Sequence, residues 1–125
     1  MIEISKSQLN FIKKQAKQEL PYEACGILLG DGKKVTAVIK AKNVSPAPRY
    51  RYIIDPEIEL KYRNQTMGYY HSHPDSGHQA SKIDQMMFIY GKIYIIYGLK
   101  DDLFGAFKND EDFVGGLQLY KTQGG

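Results

Sequence analysis

The sequence has one cysteine, Cys25, in 125 residues, so it can form no intramolecular disulfide and no thiolate metal cluster of its own. That agrees with a reducing compartment. It also lacks any apolar run of bilayer length. Stretches such as Ile93-Tyr94-Ile95-Ile96-Tyr97 are strand-sized, far below the roughly 20 residues a membrane span needs, so no membrane crossing is expected. The opening residues, Met1-Ile2-Glu3-Ile4-Ser5-Lys6, show no basic segment followed by an apolar one, and a cytoplasmic location is the expectation. An excess of one charge is missing too. Seventeen Lys and Arg against fourteen Asp and Glu leave a net +3, too mild for a nucleic-acid partner unless the charges cluster. There are no internal repeats and no low-complexity segment.

Hydrophobic residues make up 42% of the chain and charged residues 25%, the balance of a globular protein. The length suits one hydrophobic core, so residues 1–125 are expected to form a single domain. Ser5 caps a first helix reaching about Leu20, because Leu9, Ile12, Ala16 and Leu20 fall near a 3.6-residue period and Pro21 stops it. Residues 23–29 read as a buried strand, and Gly30-Asp31-Gly32 turns the chain into a second strand over 35–39. Residues 43–48 form a loop with two prolines, and the aromatic run 50–54 reads as a strand.

Asp55-Pro56 opens a short helix through Tyr62, with Asp as the cap. Residues 67–71 are β-prone, 74–80 are loop, and Ser81 begins a helix through Ile89. Three further strands follow, over 93–97, 103–107 and 114–120. The order implies an α/β sandwich whose mixed, mostly antiparallel sheet is flanked by helices.

The chemistry concentrates in residues 71–84. On a strand, residues two apart face the same side, so His71 and His73 can offer two imidazoles to one metal. A third ligand must come from elsewhere. Asp84, one turn into the helix that Ser81 opens, can supply it if the loop folds back. Two nitrogens and a carboxylate leave a fourth tetrahedral position for water, the composition of a catalytic zinc site. Each part also has a plain reading: an incidental His-x-His pair, a Ser81-x-x-Asp84 capping box, and a Glu23 that is simply a charged residue at a strand start.

Taken together, the glutamate of Pro21-x-Glu23-x-Cys25-Gly26-x-Leu28-x-Gly30, then His71-Ser72-His73-Pro74, then seven residues to Ser81-x-x-Asp84, strongly resemble the JAMM (MPN+) metalloprotease family. The similarity extends to Ile54-Asp55-Pro56-Glu57. It implies a fold similar to cytidine deaminase and a metal-dependent peptidase or isopeptidase activity. By the same resemblance His71, His73 and Asp84 would hold Zn2+, Glu23 would take a proton from water and pass it to the leaving amine, and Ser81 would donate to the oxyanion. An oxyanion donor of that kind contributes on the order of 3 kcal/mol.

One departure is Ala80, where many relatives carry proline. The chain also has little room for the insertions that grip polyubiquitin. It looks more like the compact prokaryotic members, which process small ubiquitin-like or sulfur-carrier proteins or cleave short peptides. The rival expectations are a non-catalytic binding module of the same fold and a cell-wall or phage-tail peptidase.

Four other features need a reading. Cys25 beside Glu23 could be a nucleophile with a histidine base, or a small buried hydrophobe. His78 is read as a solvated loop histidine. Arg49, Arg51 and Arg63, interleaved with Tyr50, Tyr52 and Tyr62, are read as a solvated surface and not a nucleic-acid one. The terminal Gly124-Gly125 is either a frayed tail or a segment that occupies an active-site groove. A homodimer is compatible with tyrosine-rich strands.

Overall fold

The computed structural model describes the backbone of residues 1–110, 113–117 and 119–122 and the side chains through residue 109. Strand β1 (Ile2–Ser5) runs into helix α1 (Lys6–Gln18), followed by β2 (Cys25–Gly30) and β3 (Val35–Ala41). Helix α2 (Pro56–Lys61), β4 (Thr66–His73), helix α3 (Lys82–Met87), β5 (Ile93–Gly98), β6 (Leu103–Asp110), β7 (Phe113–Leu117) and β8 (Leu119–Thr122) complete the order. Six strands form one sheet in the order β3-β2-β4-β5-β6-β7, and β1 pairs with β8 in a second, two-stranded one. Within the large sheet only β4 and β5 are parallel. The α/β class with a mixed, mostly antiparallel sheet is therefore as the sequence implied.

Helix α1 starts at Ser5 for a chemical reason. The Ser5 hydroxyl accepts from Gln8 N and the Gln8 side chain accepts from Ser5 N, which satisfies two otherwise orphaned donors. Its Leu9, Ile12 and Ala16 are buried against one face of the sheet, with Leu28, Tyr70, Ile93, Ile95 and Tyr97. Gln15 sits on that apolar stripe without penalty, because it accepts from Tyr70 Oη at 2.5 Å and donates to the Cys25 carbonyl at 3.0 Å. The opposite face gathers Cys25, Ile27, Tyr69, Phe88 and Tyr94 under the segments that carry α2 and α3. Each face of the sheet thus carries a core, and His71 and His73 share the face of the second one.

The parallel β4–β5 pair has a direct consequence for function. Parallel neighbours cannot be joined by a hairpin, so the chain must cross over between residue 73 and residue 93. That crossover carries α3 and brings Asp84 back to β4.

Three expectations need correction. Residues 50–54 are not a strand: only Ile54 makes an isolated bridge, to Asn43. The Asn43 side chain takes the role of a partner strand, accepting from Ile53 N and donating to the Arg51 carbonyl. Helix α3 stops at Met87 and not at Ile89, because Phe88 turns extended and stacks on Tyr94 at 4.2 Å while Ile89 N donates to Tyr94 Oη. The expected strand 114–120 is two strands, β7 on β6 and β8 on β1. Strand β1 itself went unread, since four residues before a capped helix show too little alternation to stand out. Among the described residues no helix is long and apolar enough to cross a membrane.

Candidate metal centre

Strand β4 is buried along its whole length, and its alternation points His71 and His73 to the same face. Antiparallel pairing puts Cys25 of β2 opposite His71. Carried two residues further, the same register places Glu23 beside His73, and the pairing does continue: Ser72 N donates to the Ala24 carbonyl, and Ser72 Oγ accepts from Ala24 N. Glu23 is also tied from the other side, where its N donates to the Pro48 carbonyl at 2.8 Å and its carbonyl accepts from Asn43 Nδ2 at 3.0 Å. It is 6% exposed.

Asp84 arrives from α3. Ser81 Oγ accepts from Asp84 N, and Asp84 Oδ2 accepts from Ser81 N, both at 3.0 Å. The plain capping-box reading of Ser81-x-x-Asp84 is therefore correct, and it also aims the carboxylate. Oδ2 stands 2.9 Å from His73 Nε2 and Oδ1 stands 3.1 Å from His71 Nε2. One ligand atom from each of His71, His73 and Asp84 lies within 4.8 Å of the others, and all three residues are buried.

The hydrogen bonding around these atoms decides what the cluster is suited to. His73 Nδ1 is 2.7 Å from the Gly77 carbonyl, so it is the nitrogen that carries the proton. In the neutral ring Nε2 is then a lone pair facing a carboxylate oxygen. His71 Nε2 approaches Asp84 out of line for a hydrogen bond, and its Nδ1 meets no partner. Acceptor facing acceptor in a buried site is satisfied by a cation or by an added proton. Two imidazole nitrogens and a carboxylate fit a zinc-type ion.

The charges agree with that arrangement. Burial lowers the His71 pKa more than Asp84 restores it, which favours the neutral, ligating ring. Burial also opposes charge on His73, but Asp84 and the Gly77 carbonyl outweigh it and raise its pKa. Burial would raise the Asp84 carboxyl as well, yet the two histidines and Ser81 N hold it well below the usual carboxylate range. Glu23 behaves oppositely. Burial pushes it up to about 8, His73 only partly offsets this, and its Oε1 has no partner.

Residues 5–108 match the family described as prokaryotic homologs of the JAB domain. The chain belongs to that family. A desampylase of Haloferax volcanii is 33% identical over 100 residues, spanning 72% of this chain and 72% of the relative. The solution structure of a Desulfitobacterium hafniense protein superposes with a TM-score of 0.85 at 27% identity, covering 99% and 94% of the two chains. A JAB1/MPN domain protein of Archaeoglobus fulgidus gives 0.66 at 20% identity, with 98% of each chain covered, and shows the shared fold. The JAMM resemblance is thereby met, and this JAB domain is a hydrolase of the JAMM type.

Two contributors to the site were not read from the sequence. Tyr52 stacks on His71 with ring centroids 4.4 Å apart and planes inclined by 23°. The sequence places it within the expected strand 50–54, among tyrosines interleaved with arginines. Asn43 is the hub of the loop that delivers it, bonding Glu23, Pro48 and Arg51 carbonyls and accepting from Ser45 N and Ile53 N. The signal available was an asparagine next to a Ser-Pro-x-Pro loop, a residue type that caps irregular backbone.

The remaining features sort themselves. Cys25 is fully buried, its Sγ contacts the Ala41 carbonyl, and burial pushes its thiol up to about 12, so it is the small buried hydrophobe and no nucleophile. Arg49 pairs with Asp75 at 3.6 Å, bridging two loops near the His71–His73–Asp84 cluster. His78 is not free in solvent, since its Nδ1 lies 2.6 Å from Asp101 Oδ2. The Gly124-Gly125 tail lies outside the described residues.

Proposed function

We propose that this JAB domain, residues 1–125 as one unit, is a zinc-dependent peptidase or isopeptidase that cleaves after the extended C-terminal segment of a small ubiquitin-like or sulfur-carrier protein. The observation that carries the reading is the buried cluster itself: lone pairs of His71, His73 and Asp84 converge beside Glu23, whose carboxyl is unpartnered and holds a proton near neutral pH. The substrate class is supported by the Haloferax volcanii desampylase, whose name describes removal of a ubiquitin-like modifier.

His71, His73 and Asp84 would hold the ion, which supplies Lewis acidity at the scissile carbonyl and a water acidified toward a pKa of about 7. With a dication held beside it Glu23 would be kept as the carboxylate, able to take one proton from the attacking water and return it to the leaving nitrogen as the C–N bond breaks. Ser81 Oγ already accepts from Asp84 N, which leaves its O–H free to donate to the developing oxyanion. A neighbouring, mostly apolar pocket of about 170 Å³ is lined by Tyr52, Ile53, Ile54, Tyr69, Met87 and Ile89, with the Glu59 carboxylate also in its wall. Tyr69 lies one same-face step along β4 from His71, about 7 Å, so the pocket suits a substrate side chain close to the scissile bond.

The test is the zinc content of purified wild type, His73→Ala and Asp84→Ala, followed by cleavage of carrier-protein fusions with Glu23→Gln as control. Near-stoichiometric zinc that both ligand variants lose, with fusion cleavage that Glu23→Gln abolishes, is the expected result. A wild type that takes up no zinc after reconstitution overturns the reading and leaves a non-catalytic binding module of the same fold.

A further inference from the structure

The loop between the two ligand-bearing segments is held down from an unexpected side. Residues 76–78 pack against the turn between β5 and β6. Leu99 N donates to the His73 carbonyl at 3.1 Å and Lys100 N donates to the Ser76 carbonyl at 3.3 Å. Asp101 closes the contact, its Oδ2 accepting from His78 N at 3.1 Å and lying 2.6 Å from His78 Nδ1, while its Oδ1 accepts from Leu103 N. The approach is so close that no side chain fits between. A Cβ on Gly77 would stand 2.5 Å from Asp101 Oδ2, and one on Gly98 would stand 2.3 Å from the Gly77 carbonyl carbon.

The residue so trapped, Gly77, is the one whose carbonyl accepts from His73 Nδ1. That bond selects the ring tautomer and turns Nε2 toward Asp84. We propose that Asp101 is a positioning residue for metal binding: by clamping His78 it fixes the Gly77 carbonyl, and the Gly77 carbonyl fixes His73. Asp101 stands at the β5–β6 turn and works through two intermediaries, His78 and Gly77. The inference rests on His73 being a metal ligand, as proposed above. Such supporting hydrogen bonds change metal affinity by one to two orders of magnitude when lost.

The experiment titrates Zn2+ alone into metal-free protein against a chromogenic chelator, for wild type, Asp101→Ala, Asp101→Asn and His78→Ala. The His73 ring N–H resonance is followed by NMR in the same samples. Asp101→Ala should bind zinc about 10-fold more weakly and lose the slowly exchanging Nδ1–H signal. Asp101→Asn, which keeps an acceptor for His78 N–H but no charge, should recover most of the affinity, and this assigns the effect to the hydrogen bond. His78→Ala, which removes only the ring contact, should fall between wild type and Asp101→Ala, and it decides the matter if Asp101→Ala does not fold. Zinc affinity and ring signal unchanged in Asp101→Ala, or in His78→Ala should that variant decide, overturn the inference. An Asp101→Asn as weak as Asp101→Ala overturns it too. A wild type that binds no zinc overturns the reading of the site itself, a distinguishable failure.

Discussion

Replacing Glu23 with glutamine should make the metal-free protein more stable, and increasingly so as pH rises. Glu23 is buried, one carboxyl oxygen has no partner, and burial holds its pKa near 8, whereas an unfolded chain ionises it near 4.5. The folded state therefore binds more protons than the unfolded state between those values. Its stability is fully present below pH 4.5 and is lost as pH climbs toward 8. At 1.36 kcal/mol per pH unit the interval between 4.5 and 8 corresponds to roughly 5 kcal/mol, and water entry around an ionised Glu23 should reduce this to about 3 kcal/mol. Glutamine is neutral in both states and contributes no such slope.

The assay is urea unfolding of chelator-treated wild type and Glu23→Gln at pH 5 and pH 8. Wild type should lose about 3 kcal/mol relative to the variant between the two pH values. Adding zinc should shrink that loss, because a dication beside Glu23 favours the carboxylate. A difference that stays constant within about 1 kcal/mol in the metal-free pair would refute the claim that Glu23 is held protonated by its surroundings.

Other outcomes follow from single contacts. Cys25→Ala should leave turnover intact at a stability cost of about 1 kcal/mol by urea unfolding, and native protein should resist iodoacetamide; loss of turnover would restore the nucleophile reading. Gly26→Ala should cost several kcal/mol or prevent folding, because its Cβ would stand 2.2 Å from the Tyr70 ring and 2.3 Å from the Ile39 carbonyl oxygen; a normal melting curve would contradict that packing. Met87→Asp and Ile89→Asp should raise KM for a carrier fusion by about 10-fold with kcat little changed, if the apolar pocket binds substrate and takes no part in the chemistry.

How much of this was legible in the residues depends on what kind of interaction placed each one. His71 and His73 could be read because two-residue spacing on a strand fixes a shared face regardless of context, and Ser81-x-x-Asp84 because a capping box is a local device. What local rules could not show is that Asp84 serves both uses at once. Its Oδ2 caps the helix and faces His73, while its Oδ1 faces His71, and only the β4–β5 crossover brings the cap to the strand.

Tyr52 failed for the converse reason. Its alternating neighbours have a strand's composition, but strand identity depends on a partner, and the Asn43 side chain occupies the bonds a partner would have made. The same holds for Asp101, an exposed turn residue by any local rule, which grips a loop through His78, 23 positions away. In this fold the side chains proposed to bind metal announce themselves by spacing. The groups that support the site depend on the tertiary fold: a carbonyl at Gly77 on His73, an amide at Asn43 on the Glu23 backbone, a ring at Tyr52 on His71. Substitutions that leave the Glu, His-x-His and Ser-x-x-Asp pattern untouched can therefore still shift metal affinity, and the pattern alone does not measure how well a chain of this family is poised to act.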